Sequence, residues 1–188
     1  MSRFTGKIVV VTGAGSGIGE ASARRFAQEG ASVVLVGRHQ DKLQKVLAQL
    51  PGDSHLATAC DVAEADQVKA LAARVEEKYG RVDVLVNNAG IIVQGRIHEI
   101  EPADWKKLMS VDLDGVFHCV HFFMPDLLKS KGNVVNISSV SGLGGDWGMS
   151  VYNAAKGAVT NFTRSLAIKA IASAISSGSP ARLNGMRS

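Results

Sequence analysis

Tyr152 and Lys156 stand four residues apart in YNAAKG, with only Asn153, Ala154 and Ala155 between them. On a helix that spacing puts both side chains on one face. A free phenol, with a pKa of about 10, is too weakly acidic to serve as a base at neutral pH. An ammonium one turn away favours the phenolate, so the pair suits general acid/base work. Taken alone, the spacing fits a core tyrosine beside a solvated lysine better. A second group is the stretch TGAGSGIG, residues 12–19, with glycines at 13, 15, 17 and 19. Small residues at a turn into a helix let backbone N–H groups approach a pyrophosphate. The bland alternative is a turn that glycine only packs tightly. Asp61-Val62, Asn88-Ala89-Gly90 and Ser138-Ser139 are further polar or small groups that follow apolar runs.

The elements that must position these groups alternate from the start. KIVVVTG (7–13) is a continuous apolar run, as expected for a strand buried on both faces of a parallel sheet. An amphipathic helix over 18–30 follows, then a strand over 31–37 and a helix over 40–50 stopped by Pro51-Gly52. The pattern repeats with a strand over 55–62, a helix over 64–80 and a strand over 82–90. Pro102 opens a long helical stretch from Asp104 to Leu128, and Pro125 is expected to bend it or end it early. A fifth strand over 133–139 precedes a helix over 152–170. Strict alternation with apolar strands means a doubly wound parallel sheet with right-handed crossovers. Ligands of such sheets sit beyond the carboxyl ends of the strands, where the unusual residues lie.

The 188 residues, 46% hydrophobic and 20% charged, suit one domain with a real core. No apolar run nears the ~20 residues of a membrane span, and the N-terminus lacks the h-region of a signal peptide. The net charge of +4 is spread among acids without a basic block, which argues against nucleic acid and leaves room for a small anionic ligand. Cys60 and Cys119 are far apart with no CxxC, so two reduced cysteines, a cytoplasmic location and no metal site are expected.

Taken together, residues 6–169 resemble a short-chain dehydrogenase/reductase. The likeness rests on the TGxxxGIG loop, Asp61-Val62, NNAG at 87–90, VVNISS and Ser139, and YxxxK at 152–156. The resemblance implies a Rossmann fold and NAD(P)-dependent oxidation of an alcohol or reduction of a carbonyl. Tyr152 is then the general acid/base, Lys156 also binds the nicotinamide ribose, and Ser139 hydrogen-bonds the substrate oxygen, with Ser138 the weaker candidate. Gly13, Gly15, Ser16, Gly17, Ile18, Gly19, Asp61, Val62, Asn88, Ala89 and Gly90 line the cofactor crevice. At the end of the second strand Gly37 is followed by Arg38, not the acidic residue of NAD enzymes. A guidinium there fits the 2′-phosphate of NADP, so NADP is slightly favoured over NAD, although Ser16 stands where many NADP-preferring relatives are basic. The segment 139–151 resembles that of acetoin, vicinal-diol and polyol dehydrogenases, with Trp147 either flooring a small pocket or packing.

Two departures stand out. Asp112, in VDLDG, replaces the asparagine that the family uses to hold a water in a proton relay to Lys156. Either the carboxylate changes the pH dependence, or it substitutes with little effect. Beyond Lys169 the likeness stops, and AIASAISSGSPARLNGMRS lacks a strand. We therefore expect a Rossmann domain over 1–172, C-terminally truncated relative to the family, and an irregular tail over 173–188. An omitted stretch of residues near 170 is the other explanation. The resemblance also implies a homo-oligomer, a dimer through helices 104–128 and 150–172 and a tetramer only if the C-terminal strands exist. The partners expected are a small alcohol or ketone and a second copy of the chain. The competing expectation is a truncated, catalytically weak dinucleotide-binding protein acting through its dimer interface.

Overall fold

The computed structural model describes residues 2–176, with side chains through residue 167. Five strands, β1 (Ile8–Thr12), β2 (Ser32–Gly37), β3 (Leu56–Ala59), β4 (Val84–Asn87) and β5 (Asn133–Asn136), form one sheet. Its order is β3-β2-β1-β4-β5 and all four pairings are parallel. The helices are α1 (Gly17–Gln28), α2 (Gln40–Leu47), α3 (Ala65–Tyr79), α4 (Pro102–Met109), α5 (Gly115–Ser130) and α6 (Ser150–Ser176).

β1 reads IVVVT with every residue buried, because helices cover both faces of the sheet. Its alternate side chains feed two cores. Val10, with Val34, Leu85 and Phe123, packs under α3 and α5, while Val9 and Val11, with Val33 and Leu35, pack under α1 and α2. The registers Val10↔Val34 and Val10↔Leu85 keep these layers level. β5 is different: its residues alternate between exposed and half-buried, as befits an edge strand with no outer neighbour among the described residues.

The doubly wound sheet is as the alternation predicts, with four local differences. The strands β3, β4 and β5 are shorter than the apolar runs that contain them, because pairing stops where the chain turns into the crevice. Pro125 neither ends nor shortens its helix, which runs on to Ser130. Proline costs an interior helix one N–H bond, and the packing of Phe123 and Leu127 on either side outweighs it. Between α4 and α5 a π-helical segment, Ser110–Asp114, interrupts the expected continuous helix. Such wide turns often mark functional positions. Finally, α6 continues to Ser176, four residues into the expected tail, and residues 177–188 lie outside those described.

Candidate active site

A crevice opens over the carboxyl ends of β1, β2, β3 and β4. Gly13, Gly15 and Ser16 form one wall, Gly37, Arg38, His39, Lys42 and Leu43 the second, and Cys60, Asp61 and Val62 the third. Ala89, Gly90, Ile91 and Val111 form its inner end. Gly13 has φ of 65°, and a Cβ there would sit 2.7 Å from Asn88 Nδ2. A Cβ on Gly19 would collide with the Gly13 carbonyl. These glycines let the chain close tightly around a polar ligand. Ser16 caps α1 without a side-chain hydrogen bond, so the first N–H groups of that helix remain available to an anion.

Thr12 braces the crevice. Its Oγ1 accepts from the Asn88 and Ala89 N–H groups at 2.9 and 3.0 Å, and Asn88 Nδ2 donates to the Thr12 carbonyl at 2.9 Å. The Asn88 side chain is thus occupied in tying β4 to the glycine loop. Asp61 is held by Ala63 N–H donating to Oδ1 at 3.0 Å. Gly17, Ile18 and Gly19 form the first turn of α1, and Ile18 is 64% exposed.

The crevice ends against a second cluster. A Cβ on Gly90 would stand 2.9 Å from Asp112 Oδ2 and 3.4 Å from Lys156 Nζ. Lys156 and Asp112 are buried and paired, with Nζ 3.1 Å from Oδ2. Nζ also donates to the Ile137 carbonyl at 3.1 Å and lies 5.6 Å from the centroid of the Tyr152 ring. Asp112 Oδ1 accepts from Ile91 N–H at 2.7 Å, whereas Oδ2 has no aligned hydrogen-bond donor. Burial pushes the Asp112 carboxyl above the usual carboxylate range, against the opposing pull of the Ile91 N–H and the Lys156 ammonium. Tyr152 is half-buried against Leu108, Val151 and Ala155.

The two serines diverge, as adjacent extended residues should. Ser138 Oγ lies 2.7 Å from Thr160 Oγ1 and donates to the Lys156 carbonyl at 3.0 Å, which ties it to α6. Ser139 Oγ accepts from Ser141 N–H at 3.2 Å and caps a short 3₁₀ turn, Val140–Gly142. Trp147 is 83% exposed, so packing in the core is not its role. His39 and Lys42 are members of the site that sequence spacing did not single out, and Thr12, which opens the TGxxxGIG motif, has a bracing role there that the motif does not announce. The first two follow β2 in a stretch that reads as an ordinary polar helix start. Thr12 acts through its hydroxyl on backbone groups 76 and 77 residues away.

Residues 7–177 match the family described as short chain dehydrogenase. The chain is 51% identical over 166 residues to meso-2,3-butanediol dehydrogenase of Serratia marcescens, covering 88% of this chain and 66% of that protein. It is 42% identical over 171 residues to a 3beta-hydroxysteroid dehydrogenase of Mediterraneibacter gnavus, covering 89% and 62%. A short chain dehydrogenase/reductase from Burkholderia phymatum solved in complex with NAD superposes with a TM-score of 0.84 at 37% identity, covering 88% of this chain and 60% of that one. An NAD+-bound xylitol dehydrogenase gives 0.86 at 29%, covering 90% and 66%. The chain thus spans 60% to 66% of the length of these relatives.

Proposed function

From the premise that the chain belongs to the short-chain dehydrogenase family, we propose that it is an NAD(P)-dependent oxidoreductase acting on a small alcohol or carbonyl compound. The observation that carries this reading is the Tyr152–Lys156 pair standing at the inner end of a glycine-lined crevice. The residues fit a dinucleotide. Glycines leave room that a pyrophosphate would need, the N-terminus of α1 is open to an anion, and Asp61 with Val62 would hold an adenine.

When bound, the nicotinamide supplies or accepts the hydride. The chain's own groups handle the proton. Tyr152 donates its phenolic proton to a carbonyl oxygen in reduction and takes a hydroxyl proton in oxidation. Lys156, held by the Ile137 carbonyl, faces the ring with its Nζ 5.6 Å from the ring centroid. Ser139, whose Oγ accepts from Ser141 N–H and so keeps its own O–H free to donate, orients the substrate oxygen. Trp147, 83% exposed in the segment before α6, is free to contact a substrate.

The likeness to a butanediol dehydrogenase favours a vicinal diol or acetoin-type substrate, with polyols next. Arg38, with His39 and Lys42 beside it, favours NADP over NAD, since Asp61 is the one carboxylate among the described residues that line the crevice. The apolar groove between α5 and α6, with Phe117 51% and Leu128 60% exposed, fits a second copy of the chain. Cys60 and Cys119 are free and buried, their thiols pushed up by burial to about 11 and about 12. That is consistent with the cytoplasm. Among the described residues no helix is long and apolar enough to cross a membrane.

A second reading has its own support. Val140 and Trp147 stand 82% and 83% exposed beside the site, with nothing opposite them among the described residues. A dinucleotide-binding protein with weak turnover accounts for that. Reduced-nicotinamide absorbance, followed with acetoin, diacetyl, butanediols and polyols, separates the two. Turnover at ~1 per second or faster establishes the oxidoreductase, while cofactor binding without turnover of any of these substrates establishes the second reading.

A further inference from the structure

A row of polar contacts holds α6 against β5 and the residues that follow it. Alternate residues of extended chain point to one side, and here Asn136 and Ser138 both meet the helix. Asn136 Nδ2 donates to Thr163 Oγ1 at 2.8 Å, and that hydroxyl donates to the Val159 carbonyl at 2.7 Å. Ser138 reaches the backbone of Lys156 itself, with Oγ 3.0 Å from the carbonyl oxygen and 2.7 Å from Thr160 Oγ1. Between them Ile137 packs its side chain against the core under α1 and α2, while its carbonyl accepts from Lys156 Nζ at 3.1 Å. Gly142 closes the collar, because a Cβ there would stand 2.7 Å from both the carbonyl carbon and the carbonyl oxygen of Lys156. One short stretch, 137–142, thus holds a single buried residue by its ammonium, its carbonyl and its peptide plane.

The supply of donors separates the two hydroxyls. A carbonyl oxygen has two lone pairs, and helical geometry gives one of those on Lys156 to the Thr160 N–H. The Thr160 hydroxyl lies 2.9 Å from the same oxygen, so α6 can saturate this carbonyl by itself. What the helix cannot supply is a bond from that carbonyl across to the strand side. The Ser138 hydroxyl makes it.

We propose that Ser138 is a positioning residue whose hydroxyl sets the height of α6 on β5 at Lys156, and so places Lys156 and Tyr152 at the inner end of the crevice. The inference rests on the reading of that pair as the proton-handling groups. Tyr152 stands one turn before Lys156 on the same helix, so a shift of the Lys156 peptide carries the phenol with it. A misplacement of ~1 Å costs a positioned reaction up to about a hundredfold in rate. Ser138 therefore acts on turnover without touching the substrate.

Ser138→Ala and Thr160→Val each remove one hydroxyl from the same pair and test the proposal by their difference. In Ser138→Ala the Thr160 hydroxyl still serves the Lys156 carbonyl, so no buried acceptor is orphaned and the fold persists. Only the bond to the strand side is lost, and in Thr160→Val that bond remains. With reduced nicotinamide cofactor and diacetyl or acetoin, Ser138→Ala is expected to lower kcat about tenfold with little change in KM. Thr160→Val should stay within about threefold of wild type, and Ser138→Thr, which keeps the hydroxyl, should recover most of the rate. A Ser138→Ala kcat within about threefold of wild type overturns the proposal, as does an equal loss in Ser138→Ala and Thr160→Val. Amide hydrogen exchange over residues 155–160 reads the same difference without turnover. It should be about tenfold faster in Ser138→Ala than in wild type or Thr160→Val at similar global stability, and equal exchange in all three overturns the proposal. A wild-type chain that shows this exchange pattern yet turns over no substrate refutes the function proposed above and leaves the placement of α6 by Ser138 standing. Should Ser138→Ala fail to fold, Gly142→Ala carries both measurements, since its Cβ forces the collar away from the Lys156 peptide. Wild-type kcat and exchange in that variant overturn the proposal.

Discussion

Replacing Arg38 by Asp should turn the proposed preference for NADP toward NAD. Arg38 and Lys42 are solvent-exposed on the crevice wall formed by the end of β2 and the start of α2. A hydrogen bond to a charged group contributes about 1.5–3 kcal/mol, and exposure puts Arg38 at the low end, about 1.5 kcal/mol. The new carboxylate adds repulsion with the 2′-phosphate of about 1 kcal/mol, the value for unit charges ~4 Å apart in water. The sum corresponds to a change of roughly a hundredfold in the ratio of NADP to NAD affinity. Lys42→Ala, which removes a cation without adding a repulsive charge, should change that ratio by about tenfold or less. Isothermal titration of both cofactors into wild type and the two variants provides the ratios. A ratio in Arg38→Asp within about threefold of wild type, below 1 kcal/mol, would refute the assignment of this wall to the 2′-phosphate.

Asp83 and the α5–α6 groove carry two further predictions. Asp83 is 4% exposed, and although burial alone would raise it, hydrogen bonds from Arg81, Ile8 N–H and Lys7 hold its carboxyl below the usual value. Its lowered value means stability that is present above the unfolded pKa of about 3.9 and lost as pH falls through the folded one. Asp83→Ala should therefore cost about 2 kcal/mol at neutral pH, with the gap to wild type closing below pH ~4, as denaturant unfolding across pH would show. Phe117→Asp, at the groove lined by Val120, Met124, Phe162 and Leu166, should weaken a two-fold dimer by about a hundredfold or more. Analytical ultracentrifugation checks it, and a wild-type chain that stays monomeric at micromolar concentration removes the groove from the account.

The parts of the molecule that were legible from sequence are those where one-dimensional pattern and burial coincide. KIVVVTG announces β1 because a strand covered on both faces tolerates nothing but apolar residues. Tyr152 and Lys156 announce their proximity because helical spacing is fixed. What escaped depends on long-range geometry. The Thr12 hydroxyl serves backbone groups of β4 that only the parallel pairing of β1 with β4 brings near. The Ile137 carbonyl that holds Lys156 is a backbone atom and leaves no side-chain signature. The π turn at Ser110–Asp114 has no local sequence signal, yet it aims Asp112. Pro125 misled because helix propensity is a local tendency, and the core beneath α5 overrides it.

The central claim is that Tyr152 moves the substrate's proton at the end of a dinucleotide crevice. Steady-state oxidation of reduced nicotinamide cofactor by wild type and by Tyr152→Phe, on whichever carbonyl substrate wild type turns over, tests it most directly, with cofactor affinity measured on the same samples. The account predicts a rate lowered by about a hundredfold or more, the range that general acid/base catalysis supplies, with cofactor affinity changed little. A Tyr152→Phe protein that keeps a tenth of the wild-type rate would contradict it.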